Sequence, residues 1–167
     1  IRQDKSIGAL GIGVARANGE LGESAFPFPS LTVRTVESFG LYRFFSDQWK
    51  EDNLQNEFFK HDKVKVVDWL GGAFLLMPKE VLDKIDGVPE DYFMFGEDID
   101  LCYKIREMGL NVVFNPKYTV LHKGNQSTGQ LPSTWRIEFT TISQYAFCFK
   151  YYGWLKTRLI QLVDLAG

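Results

Sequence analysis

Gly96-Glu97-Asp98-Ile99-Asp100-Leu101-Cys102-Tyr103-Lys104, running on to Met108-Gly109-Leu110, is the stretch on which the fold turns. Asp98, Leu101, Cys102 and Ile105 fall at i, i+3, i+4 and i+7, the spacing of one face of a helix. Gly109 is the residue type that stops a helix. The period then changes at once, and Asn111–Phe114 and Tyr118–His122 read as two strands divided by Asn115-Pro116. Working upstream, the apolar run Trp69-Leu70-Gly71-Gly72-Ala73-Phe74-Leu75-Leu76-Met77 within 64–77 reads as a strand covered on both faces. Pro78 ends it and opens a short helix over Lys79–Ile85. Strands alternating with helices predict an α/β layered domain.

The outer segments follow the same rules. Ile7–Ala15 is a β-branched, glycine-spaced strand closed by the turn Ala17-Asn18-Gly19. Its Gly8, Gly11 and Gly13 do not spell a dinucleotide fingerprint, because no glycine follows three residues after Gly13 and no helix opens there. Prolines hold 26–30 extended. Apolar spacing from Val36 to Trp49 predicts a short helix, and 54–63 reads as a polar, irregular loop with His61 exposed. From Pro132-Ser133 a long helix carries an apolar stripe at Trp135, Phe139, Ile142, Tyr145, Phe149 and Tyr152. Gly153 breaks it, and a last helix, Trp154–Ala166, is apolar around most of its circumference.

Composition narrows the function. A chain of 167 residues, 45% hydrophobic and 15% aromatic, can bury one sizeable core. With 19 Lys+Arg against 21 Asp+Glu, no electrostatic term favours nucleic acid. Cys102 and Cys148 lie in apolar helical patterns without metal-ligand spacing, as in a reducing, cytoplasmic setting. No apolar run reaches the ~20 residues that span a bilayer. The start at Ile1 reads as the middle of a longer protein.

The residues for chemistry cluster around Asp98. A carboxylate on the inward helix face needs partners. It is either a first-turn group that complements the helix dipole or a general base aimed at a substrate hydroxyl. Glu97, Asp100 and Lys104 point elsewhere on the wheel, Asp100 with Lys104 as an exposed i, i+4 ion pair. Tyr92, Phe93 and Phe95 form a pocket wall or ordinary core. His122, at the carboxyl end of its strand, is either a satisfied polar residue or a ligand for a metal or phosphate oxygen. Lys123, Ser127 and Thr128 are further candidates for holding a diphosphate. Gly71-Gly72 marks close approach of a ligand or another backbone, and Trp69 beside Asp68 has the makings of a sugar platform. A metal-dependent hydrolase built on Glu97, Asp98, Asp100 and His122 is disfavoured by helix phase, because Asp98 and Asp100 diverge.

Trp69–Leu76, Asp86-Gly87-Val88, Tyr92–Leu101 and Val120-Leu121-His122-Lys123-Gly124, in this order and spacing, resemble glycosyltransferase family two, particularly its rhamnosyltransferase-like members. Asn18-Gly19-Glu20-Leu21 and Phe28-Pro29-Ser30-Leu31 resemble the segment that follows the family's metal motif. The resemblance implies a partial GT-A fold, a Rossmann-like mixed sheet flanked by helices. It also implies an inverting single displacement, a nucleotide-sugar donor, a glycan or lipid-linked acceptor, and Mg²⁺ or Mn²⁺. Asp98 is then the catalytic base, His122 lies near metal and diphosphate, and Trp69, Gly71, Gly72 and Glu97 line the donor–acceptor junction. The family often has Arg where this chain has Lys104. Residues 1–132 correspond to the acceptor-side half and 133–167 to a helical extension. The family's nucleotide-binding half is not in this sequence, so the chain alone is expected to be inactive and its exposed sheet edge to favour a homodimer. Residues 154–166 either pack against the sheet or the missing half, or lie on the inner face of a membrane. The competing account is a non-catalytic carbohydrate-binding module using Trp69.

Overall fold

A computed structural model describes residues 4–123 and 133–167. Its frame is a four-stranded mixed sheet in the order β2-β1-β6-β4, flanked by helices. Strand β1 (Ile7–Ala15) lies parallel to β6 (Asn111–Leu121), β2 (Leu21–Gly22) is antiparallel to β1, and β4 (Lys65–Val67) is antiparallel to β6. A two-stranded ribbon pairs β3 (Ala25–Phe26) with β5 (Trp69–Leu70). The helices are α1 (Leu31–Ser38), α2 (Asp47–Asn53), α3 (Lys79–Lys84), α4 (Glu97–Glu107) and α5 (Ser133–Ala166). Within α5, Gly153 is non-helical at φ 77°, so two helical segments, 133–152 and 154–166, meet there at a kink. This is the α/β architecture of a partial GT-A-like fold.

The glycines of β1 have a packing role. A Cβ on Gly8 would sit 2.4 Å from Ile105 Cγ2 of α4, and one on Gly11 would sit 2.8 Å from the Leu70 methyls. Their absence lets α4 and β5 close onto the strand and seal a core of Ala9, Leu70, Cys102, Ile105, Val112 and Phe114.

Several sequence expectations are corrected. The run 64–77 is not one buried strand: β4 and β5 join different sheets, a turn follows Gly71, and only Leu76 returns to pair with Leu10. The two strands expected after Leu110 are a single strand, β6, because Asn115 pairs with Ile12 and Thr119 with Gly13, leaving Pro116, Lys117 and Tyr118 as an excursion. The helix expected over 36–49 is split into α1, a 3₁₀ turn at Leu41–Phe44, and α2, with Gly40 at φ 62° making the break. In the long helix, Ile142 and Phe149 are exposed, and Ser143, Phe147 and Cys148 are the buried positions. Phe147 fits between Phe28 and Tyr103, which sets the helix phase.

The segment expected as an exposed loop is core. Leu54, Gln55 and Phe59 are buried, and His61 is only 6% exposed, stacked edge-on to Phe114. His61 Nε2 accepts from Ser24 N at 3.2 Å, and Nδ1 lies 2.6 Å from Phe59 O, which fixes the neutral Nδ1–H tautomer. Burial holds this imidazole below its usual pKa of 6.5. The unfolded chain therefore takes up the proton first as pH falls. Stability is fully present above about pH 6.5 and drains away as the solution is acidified below it. Denaturant melts across this range should show the loss, and His61→Gln should flatten that limb of the curve. An unchanged slope would mean that another group titrates.

Candidate active site

Helix α4 begins at a strained corner. Phe95 has φ 59°, Gly96 has φ 118°, and a Cβ on Gly96 would lie 2.6 Å from the Tyr92 ring and 3.0 Å from Ser143 Cβ. Positive φ at a non-glycine residue costs energy and persists only where the surroundings fix it. Here Ser143 of α5 donates to Met94 O at 2.9 Å and pins the corner. The next residues are Glu97 and Asp98.

Asp98 is partly buried and aimed at the turn after β5. Its Oδ2 accepts from Gly72 N at 3.1 Å and its Oδ1 from Ile99 N at 2.9 Å. Burial raises its pKa above the ordinary 3.8, and the neighbouring Glu97 charge raises it further, against the opposing pull of the backbone N–H groups. A carboxylate made more basic in this way, and still open on one side, is suited to accept a proton.

Gly71 and Gly72 bring the β5 turn to this carboxylate. A Cβ on Gly72 would lie 3.8 Å from Asp98 Oδ2, an ordinary contact, so the fold itself tolerates a side chain there. Glycine instead leaves open the space over Asp98. Trp69 stacks on Phe26 with centroids 4.5 Å apart and donates through Nε1 to Pro27 O at 2.9 Å. It is thus anchored at one end, while it also lines a cavity of about 130 Å³ shared with Arg34, Glu37, Asn56, Ile99 and Gln144. Asp68 accepts from Phe28 N at 2.9 Å, and burial raises its pKa.

Asp100 is not the exposed partner of Lys104. It is 0% exposed, and Lys104 Nζ stands 3.9 Å away. Its Oδ2 accepts from Tyr92 OH at 2.7 Å and Lys150 Nζ at 2.8 Å, and its Oδ1 from Tyr151 OH at 2.8 Å. Lys150 also reaches Asp91 at 2.8 Å. Burial of Tyr92 and Tyr151 raises both phenol pKa values, and the bonds to Asp100 add to the rise, so both remain donors at any ordinary pH. The network ties the aromatic loop, α4 and α5 together two residues from Asp98, on the other side of the helix. A wheel drawn on α4 alone could not reveal it, because two of its donors come from a helix fifty residues away. The signal available in the sequence was Lys150 set directly beside Tyr151, a cation and a phenol next to the apolar Phe147-Cys148-Phe149 run.

The other sequence candidates scatter. Tyr92 is a hydrogen-bonding post, whereas Phe93 projects from the surface against Trp135 and Phe139. His122 lies just past β6, exposed, held by its backbone N–H to Ala15 O at 2.8 Å. Ser127 and Thr128 lie outside the described residues. Among the described residues no group of three or more His, Cys, Asp or Glu side chains converges to hold an ion. The divalent metal implied by the resemblance therefore finds no complete donor set there, and no step is derived through it. Asp98 and Asp100 do face different partners, which removes the geometry a hydrolytic metal centre needs.

A family model described as glycosyltransferase-like family 2 matches residues 24–144. Among curated proteins, the chain is 30% identical over 131 residues to the N-acetylglucosaminyl-diphospho-decaprenol L-rhamnosyltransferase of Mycobacterium tuberculosis, covering 76% of this chain and 41% of that protein. It is 35% identical over 57 residues to the rhamnosyltransferase WbbL of Escherichia coli, covering 34% of this chain and 22% of that protein. The chain thus spans about two fifths of the Mycobacterium relatives' length. No solved structure matches it significantly. The matched range spans the Phe28-Pro29-Ser30 segment, the glycine turn and the Glu97-Asp98 helix start and covers more than half of the chain, and on that ground the chain belongs to the glycosyltransferase-like family 2.

Proposed function

We propose that this chain carries the acceptor-activating part of an inverting glycosyltransferase that moves a sugar, rhamnose by its relatives' names, from a nucleotide donor to a glycan or lipid-linked acceptor. The observation that carries the reading is the raised, half-open Asp98 carboxylate facing the glycine turn. In the reaction the acceptor hydroxyl oxygen bonds to the anomeric carbon while Asp98 takes its proton. The bond from that carbon to the nucleotide's terminal phosphate oxygen breaks, and the diphosphate leaves with the electron pair, inverting the centre. Gly71 and Gly72 leave room for the meeting of donor and acceptor. Trp69 and Glu97 would line that junction, and the Asp100 network holds the helix start in place. By the resemblance, His122 at the end of β6 would lie near the departing diphosphate.

The reading is tested by assaying rhamnose transfer from its nucleotide donor to a lipid-linked N-acetylglucosaminyl diphosphate. The full-length protein should transfer, and the 167-residue chain alone should not. Glycan binding by the chain without nucleotide, and no transfer by the full-length protein, would instead establish a carbohydrate-binding module.

A further inference from the structure

The second segment of α5 is packed the wrong way round for an ordinary surface helix. Its inward face is formed by Thr157, Ile160 and Asp164. Thr157 and Ile160 are buried, Thr157 Oγ1 donates to Gly153 O at 2.8 Å, and Asp164 accepts from Tyr145 OH at 2.9 Å. Leu155, Leu159, Leu162 and Ala166 follow one another on the opposite side of the helix, at the i, i+4, i+7 and i+11 spacing of a single stripe. Those leucines, with Trp154 and Leu165 beside them, are between 41% and 84% exposed. The patch continues onto the first segment, because the Arg158 guanidinium lies 5.5 Å from the Phe149 ring and 5.8 Å from that of Trp154. Contiguous exposed apolar surface of this kind marks a contact site.

Charge identifies the partner. The outward face is bordered by Lys156 on one side and Arg158 on the other, and the segment's one acidic residue, Asp164, is turned inward. This border is cationic on a chain whose net charge is −2. A second copy packed on the same face about a two-fold axis would bring the cations of both copies together with no acid on the face to offset them. An anionic lipid surface accepts both features: leucines enter the acyl boundary, Trp154 sits at headgroup level, and the Lys156 and Arg158 stems reach back to lipid phosphates. No helix among the described residues is long and apolar enough to cross a membrane, so the contact is in-plane.

We propose that residues 154–166 form a docking surface for an anionic bilayer. The inference stands on this helix alone and does not depend on the reaction at Asp98. The test is co-sedimentation of the full-length protein, in which a face covered by the rest of the molecule would stay unbound, with vesicles of phosphatidylcholine, alone or mixed with phosphatidylglycerol. Wild-type protein should partition at least ~10-fold more strongly onto the mixed vesicles, and added salt should weaken that binding. The double variants Leu159→Glu/Leu162→Glu and Lys156→Gln/Arg158→Gln should each lose most of it while melting like wild type, since all four side chains are exposed. Absence of wild-type binding, indifference to phosphatidylglycerol, or binding that survives the leucine changes would overturn the proposal. So would light scattering that shows a dimer dispersed by Leu159→Glu/Leu162→Glu without any vesicle binding.

Discussion

Asp98→Asn in the full-length protein is expected to cut the rate of sugar transfer by ~10²- to 10⁴-fold, the range a positioned general base contributes. Affinity for the nucleotide donor should stay near wild type, because the carboxylate acts on the acceptor. Equilibrium binding of the donor and single-turnover transfer separate the two effects. The same substitution has a thermodynamic signature that the chain alone can report. The folded pKa of Asp98 lies above its ordinary 3.8, so between those values the native state holds a proton that the unfolded state has released. Wild-type stability relative to Asp98→Asn should therefore fall as pH rises through this window. The sign is independent of any constant offset from the amide's altered hydrogen bonds.

The second large effect concerns Asp100. Asp100→Ala removes a fully buried carboxylate and leaves the Tyr92 and Tyr151 hydroxyls without their acceptor. Breaking a buried charged network in this way costs ~3–5 kcal/mol, which lowers the melting temperature of a chain of this size by roughly 10 °C. Two controls locate the cause. Tyr151→Phe removes one hydroxyl and should cost only ~1 kcal/mol. Lys104→Gln should cost less than ~1 kcal/mol, because that ammonium stands 3.9 Å away and Lys150 provides the close contact. Small and similar losses, below ~1 kcal/mol, from both Asp100→Ala and Lys104→Gln would restore the simple surface ion pair.

The contrast between these two aspartates shows what sequence can and cannot disclose. The helix over Glu97–Glu107, its stop at Gly109, strand β1 and the break at Gly153 were all legible, because each is set by local period and punctuation. Asp98 was legible as an inward carboxylate for the same reason. Asp100 was misread because its partners, Lys150 and Tyr151, are brought to it only by the packing of α5 on α4. His61 was misread because a polar-looking segment is folded under Phe59 and Phe114, where its imidazole supplies an acceptor for the Ser24 N–H. The apolar run 64–77 was misread because hydrophobicity marks burial without saying which sheet a strand joins. These three failures lie at tertiary contacts, whereas the break at Gly40 inside the expected helix over 36–49 is local.

The central claim, that a carboxylate made more basic by burial takes the acceptor's proton, is tested most directly by the pH dependence of kcat/KM in the full-length protein, measured where it remains folded. The account predicts an acid limb along which the rate falls as one group is protonated, with an apparent pKa above the 3.8 of an ordinary aspartate. A rate that stays flat through the carboxylate range, or the same limb persisting in Asp98→Asn, would contradict it.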